Sequence, residues 1–427
     1  MHDLSMPIRA LRPRIGLWAK LCIAVFLCAA VGAPTTAALA ASSSHGVSSG
    51  IARSLNDAMK AINDKEYDKA LEKVDKADGE SHKTPYEQFK IDQFRAILYL
   101  SEEKELPRVL ELNERMLTTP DFFDPEGFDS TLLQTVQLAL QTQQFDKVQQ
   151  YGNQYLAAHP GDTQVMDLMA RGSYISKDYK TAQATLRKLI DTTEAAGKQP
   201  QELWLQLLAS CAGLLDEQQE YVADYEKLVM LYPKPQHWAK LFERIAQTQS
   251  GDYAMLELYR LMDDVGVLST ADQYMDYSKV ASDKAFPVES VHVLQAGIDK
   301  KILDTSGKDG ERYRQALAEA KKKAASDLAE LPKYEKDFAA KKQTNGQSAV
   351  GLGLAYFAYG MNDKAIARLS EGLSQGGLVN GDEARMALGI AYWRTGQKDK
   401  AREQFDAVPA TSPMATVAKL WSIRTHN

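Results

Sequence analysis

Gly372-Leu373-Ser374-Gln375-Gly376 matches G-x-S-x-G, the pattern that offers a serine as nucleophile from a sharp turn. That chemistry requires a strand before the serine and a helix after it. Here helical periodicity runs up to Ser374 and a Gly376-Gly377 turn follows, so the text of the motif stands without its context. Gly351-Leu352-Gly353 offers a glycine pair, but no strand precedes it and the third glycine of a dinucleotide fingerprint is missing. Outside the first 40 residues the histidines are His45, His82, His159, His237, His292 and His426. None pairs with another ligand type at i+3 or i+4 in a metal signature, so no metal site is predicted. No carboxylate stands alone in an apolar setting that would raise its pKa, which leaves no candidate acid or base. Cys211 lies in the apolar stretch 203–215 and reads as a buried thiol. The sequence therefore predicts no catalytic residue and no cofactor. A hydrolase using Ser374 is the one enzymatic alternative.

The elements around these residues are helical from residue 51 onward, with prolines between apolar-periodic segments. The first 40 residues stand apart. Arg9, Arg12, Arg14 and Lys20 precede an apolar run over 21–33, and Ala38-Leu39-Ala40 supplies a small-x-small cleavage site. This is the anatomy of a secretory signal peptide, and the run is too short for a membrane span. A Ser/Gly-rich lead-in follows over 41–50. The whole chain has a formal net charge of −6, and losing the basic leader makes it more acidic, which disfavours nucleic acid as a partner. A single remaining cysteine excludes an intramolecular disulfide.

Two stretches near the C-terminus repeat. Leu352-Gly353-Leu354-Ala355-Tyr356 with Ala365 and Leu369 is matched by Leu388-Gly389-Ile390-Ala391-Tyr392 with Ala401 and Phe405, each element displaced by 36 residues. This resembles the tetratricopeptide repeat (TPR), whose 34-residue unit is a pair of antiparallel helices. Carried back along the chain, the small second-helix position falls at Ala70, Val109, Val148, Ala182, Tyr221, Ala254 and Ser290. From Ser290 to Ala365 is two periods, which predicts a degenerate hairpin of helices over 311–331 and 334–341. The expected fold is all-α: a right-handed α-solenoid of about nine TPR-like hairpins, with residues 415–423 as a capping helix. The expected domains are TPR-like units over 51–302, a degenerate hairpin or linker over 303–345, with a bend into two arms near 303–310, and a C-terminal pair with its cap over 346–427.

A solenoid of this kind binds partners on the concave face lined by its first helices. The repeat register places Val350, Leu354, Phe357, Met386, Ile390 and Trp393 there, an apolar groove with anchor types that protein interfaces favour. The alternative is that the cap with Trp421 packs over them. In the middle units the same positions are polar: Gln137, Gln164, Asp167, Arg171, Gln206, Gln236 and Glu243. Gly266-Val267-Leu268, Phe286-Pro287, Val293-Leu294-Gln295-Ala296-Gly297-Ile298 and the region from Gly353 to Trp421 resemble periplasmic TPR proteins that accompany TonB/ExbB/ExbD-type systems. The resemblance implies a non-catalytic accessory scaffold in the periplasm of a Gram-negative bacterium, contacting the transducer or an outer-membrane receptor. A scaffold for exopolysaccharide export or peptidoglycan synthesis is the alternative of the same class.

Overall fold

Helices in this chain start where a side chain or a proline can serve the unpaired first-turn amides. Thr84 and Glu87 form a reciprocal capping box, Asp124, Asp162 and Asp178 each accept from a backbone N–H three residues on, and Pro85, Pro125, Pro235 and Pro287 occupy first turns. The result is seen in a computed structural model, which describes residues 46–249, 251–340, 346–379 and 381–426. The leader expected over 1–40 and the end of the expected linker at 341–345 lie outside the described residues. Among the described residues the regular structure is twenty α-helices and one 3-10 turn, Pro120–Phe122. The lead-in is already helical from Ser49.

The chain divides into two compact units, the first ending at Glu217 and the second beginning at Gln218. The first holds α1 (Ser49–Asn63), α2 (Tyr67–Asp78), α3 (Pro85–Ser101), α4 (Leu106–Leu117), α5 (Pro125–Gln141), α6 (Phe145–Ala158), α7 (Thr163–Ile175), α8 (Tyr179–Ala195) and α9 (Glu202–Leu214). They pack as successive hairpins, α1 with α2 through α7 with α8, each laid on the next. Glu87 ties the start of α3 to the start of α1: its carboxylate accepts from the amides of Thr84 and Ser48, both at 2.8 Å. Those two backbone bonds bring its pKa down to about 2.

The second unit holds α10 (Gln218–Leu231), α11 (Pro235–Thr248), α12 (Asp252–Asp264), α13 (Ala271–Asp283), α14 (Pro287–Asp299) and α15 (Gly310–Ala340). It continues with α16 (Gln347–Ala358), α17 (Asn362–Gln375), α18 (Gly381–Arg394), α19 (Lys398–Asp406) and α20 (Ala415–Thr425). One core cluster runs through it from Val229 to Ile423.

The second-helix register holds throughout: Ala70, Val109, Val148, Ala182, Tyr221, Ala254, Ser290, Ala365 and Ala401 are all buried. The hairpin turns share one geometry that the sequence hides. Two residues before the second helix the backbone is left-handed, at Lys65, Gln143, Lys177, Ala285, Gly360 and Gly396. The next amide donates back to a carbonyl five residues earlier, as in Glu66 to Ala61 (2.8 Å), Asp178 to Ser173 (2.9 Å) and Gln397 to Tyr392 (2.9 Å). This is the 6→1 bond of a Schellman ending. Glycine, which adopts that conformation freely, appears only in the last two of these turns.

Two expectations are corrected. Residues 311–340 form no hairpin: α15 is one helix of 31 residues with Pro332 inside it. Pro332 removes a single i→i−4 bond, and anchors on both sides keep the helix continuous. Before it, Tyr359 Oη donates to Asp327 (2.6 Å); after it, Tyr356 Oη donates to Glu335 (2.6 Å). The division into compact units also falls after Glu217 and not at 303–310. Leu303, Tyr313, Ala320 and Leu331 belong to the same buried cluster as the C-terminal hairpins, so this stretch lies inside the second unit.

Close helix approach rests on Gly353 and Gly389. A Cβ at Gly389 would meet the Phe405 ring at 2.5 Å, whereas one at Gly351 meets nothing within 4 Å. Gly389→Ala is therefore expected to lose about 1–3 kcal/mol through overpacking. Gly351→Ala is expected to gain about 0.5–1 kcal/mol from helix propensity. Urea denaturation of the two variants measures both.

Candidate functional site

The first unit leaves one stripe of each first helix open. On α7, α9 and the second half of α5 most positions are buried against neighbouring helices. Accessible positions recur three or four residues apart along one stripe: Leu133, Gln137 and Gln141; Gln164, Asp167 and Arg171; Glu202 and Gln206. Gln137, Asp167, Arg171 and Gln206 are half-buried and Gln164 is exposed.

At the centre of this face Asp167 joins two helices. It accepts from Arg171 Nε at 2.8 Å and pairs with Arg171 Nη2 at 2.6 Å on its own helix. It also accepts from Trp204 Nε1 on α9 at 2.9 Å. The Trp204 ring is buried, so α9 contributes an indole N–H to the face and no free aromatic surface. Gln206 Nε2 donates to Glu202 Oε1 at 3.2 Å. The face is thus rich in amides, with its central charges neutralised in pairs. Trp204 is the member that sequence reasoning missed, because its periodicity marks it as core. Gln236 and Glu243 lie on α11 in the second unit, both exposed, with Glu243 paired to Lys240 at 3.3 Å.

The apolar groove is corrected. Val350, Phe357, Met386 and Ile390 are each no more than 2% exposed, and Leu354 and Trp393 are packed against the same core. What covers them is the chain itself. Arg260 of α12 lies over Phe357 at 5.0 Å and over Phe286 at 4.5 Å. Trp393 Nε1 donates to Asp264 Oδ1 at 2.9 Å, and Arg424 Nε donates to Asp264 Oδ2 at 2.7 Å.

Helix α20 is a closing element as well as a cap. Trp421 stacks on Phe405 at 5.7 Å on one side and donates from Nε1 to the Glu257 carbonyl at 3.3 Å on the other. Lys419 reaches Glu226 of α10 at 2.6 Å. One signal pointed to this: Val417, Ala418, Leu420, Trp421 and Ile423 cannot share one helix face, whereas a cap needs only one apolar face.

The Arg260 cluster corrects a further expectation, that no carboxylate sits in an apolar setting. Arg260 Nε and Nη2 fork onto Glu289 of α14 at 2.7 and 2.6 Å. Its Nη1 donates to Glu257 Oε1 at 2.6 Å, and Tyr277 Oη donates to Glu289 Oε1 at 2.7 Å. Burial alone would raise the Glu289 carboxyl, but the Arg260 charge and these hydrogen bonds hold it below the ordinary carboxylate range. Burial pushes Tyr277 well above its usual value, with the Glu289 charge adding to it.

Ser374 lies in the last turn of α17 and donates to the Glu371 carbonyl at 2.8 Å, so no strand leads into the G-x-S-x-G pattern. Gly351 and Gly353 lie within α16, and Cys211 is buried in α9. Among the described residues no three His, Cys, Asp or Glu side chains group as metal ligands. Nor is any helix among them long and apolar enough to cross a membrane.

Replacing Asp167 by Ala strands the Trp204 indole and the Arg171 guanidinium together. The expected cost is about 1–3 kcal/mol, with faster amide exchange in α7 and α9 and none in α16–α20. Urea titration and hydrogen-exchange mass spectrometry check this.

No protein-family model and no curated protein matches the chain. Among solved structures it is similar to a tetratricopeptide repeat protein from Parabacteroides merdae, at 10% identity and TM-score 0.29 over 79% of this chain and 98% of that one. It is also similar to the P58(IPK) TPR domain, at 15% identity and TM-score 0.23 over 87% and 98% of the two chains. A third likeness is to a structure of Naa15/Naa10 bound to HypK-THB, at 12% identity and TM-score 0.32 over 85% of this chain and 59% of that chain. Values this low say nothing about activity or partner.

Proposed function

We propose that this chain is a non-catalytic scaffold that binds other proteins through the first-helix face of its first unit. The observation that carries the reading is the contrast between the two first-helix faces. The apolar positions of the second unit are occupied by α12 and α20, while Gln137, Gln164, Asp167, Arg171 and Gln206 remain accessible. Glutamine amides both donate and accept, so the face suits a polypeptide segment whose main chain offers the complementary groups.

The location we propose is the periplasm, on the anatomy of the leader, and the role is accessory to a TonB-type energy-transducing system. That role is supported by the resemblance of residues 266–421 to periplasmic TPR proteins of such systems. A scaffold for exopolysaccharide export or peptidoglycan synthesis would use the same face.

Photocrosslinking side chains placed at Gln137, Gln164 or Gln206 are expected to trap protein partners in cells, and ones at Met386 or Ile390 to trap none. Adducts confined to the second pair would overturn the assignment of the face. Absence of any protein adduct from either group would overturn the scaffold itself. Mass spectrometry of the adducts decides between transport and envelope-assembly partners.

A further inference from the structure

Arg260 offers one positive charge to two buried carboxylates, and it does not share that charge evenly. Glu289 takes the bidentate fork and the Tyr277 hydroxyl. Glu257 receives one hydrogen bond, on Oε1, and its Oε2 is buried with no hydrogen-bond partner. Glu257 and Arg260 are each only 3% exposed at the side chain. A second carboxylate that is buried, half-ligated and close to the first is held more easily as the neutral acid than as an anion.

The charged and titratable groups around it come from four helices. They are Arg260 on its own helix, Tyr277 on α13, Glu289 on α14 and Arg394 on α18. Helix α20 presents the uncharged Trp421, which bonds the Glu257 backbone oxygen.

We propose that Glu257 is a buried proton-binding site, and that proton uptake there tightens the closure of the second unit by α12 and α20. Burial is the largest influence on its carboxyl and raises it; the Glu289 charge adds to the rise, and Arg260 opposes it. A raised carboxyl holds a proton in the folded chain that the unfolded chain releases. The stability it contributes is therefore fully present below the unfolded carboxylate range and is lost as pH rises through the folded value. Glu289, held low, has the opposite sign: its contribution is present above the ordinary range and is lost in acid. Mild acid favours the closed unit until Glu289 and the surface carboxylates begin to take up protons.

The test uses the full chain with Glu257→Gln, which imitates the protonated acid, and Glu289→Gln. Thermal unfolding is followed at pH 7.5 and 5.5. Wild type is expected to gain about 3 °C on acidification, the shift that roughly 1 kcal/mol gives in a unit of this size. E257Q is expected to start higher at pH 7.5 and to lose that acid-dependent gain, while E289Q melts lower than wild type at both pH values. Carboxyl carbon NMR of glutamate-labelled chain should show one resonance, absent in E257Q, with a midpoint above the ordinary glutamate value. Glu257 would be an ordinary ion-pair partner, and the proposal wrong, under either of two results. One is E257Q melting below wild type at pH 7.5; the other is its resonance titrating at or below the ordinary value.

Discussion

The second unit depends on a buried guanidinium. Arg260 lies in the wall of α12 between the rings of Phe286 and Phe357 and bridges Glu257 to Glu289, so α12, α14 and α16 meet at one side chain. Removing such charges from water is expensive, and a buried ion pair is weak evidence of stability gained. Its value here is directional. Apolar surfaces slide and repack, whereas a planar fork with fixed donors accepts few arrangements. The cluster sets where α12 sits, and Asp264, seven residues beyond Glu257, then meets Trp393 and Arg424.

That closure changes what a repeat protein of this type can offer. In an open array the first-helix face of every hairpin stays available, and a terminal cap shields only the last apolar surface. Here the last helix packs on α10 and α12 as well as on the final hairpin, and the aromatic positions of the C-terminal repeats become core. The first unit keeps its stripe accessible because each of its first helices meets neighbours on two sides and nothing in that unit crosses the third. Which stripes stay accessible thus follows from what the chain covers with itself, and not from which stripes are most apolar.

The repeat register was legible because it rests on local sterics. A small residue at Ala365 or Ala401, and a glycine at Gly353 or Gly389, are needed wherever two helices cross closely, and that need repeats with the hairpin. The turns were less legible. Lys65, Gln143, Lys177 and Ala285 adopt the left-handed conformation without being glycine, since the backbone bond to a carbonyl five residues back and the packing of both helices hold them there. Pro332 misled for a related reason: a proline deletes one bond locally, while Asp327 and Glu335 are held by tyrosines from α16 and the turn after it.

The sequence by itself determined the helical content, the period, the buried second-helix positions and the polar character of the face around Asp167. Each follows from interactions within one hairpin or between adjacent ones. Only the tertiary structure decided that Phe357 and Met386 are interior with Trp393 packed against that core, that Glu257 is a buried carboxylate, and that α20 closes the unit. Those outcomes join residues more than a hundred positions apart, such as Trp393 with Asp264 and Trp421 with Glu257. A periodic pattern shows which face of a helix is apolar. It carries no information on whether solvent, a partner or a distant part of the same chain meets that face, because all three present similar demands to the residues on it.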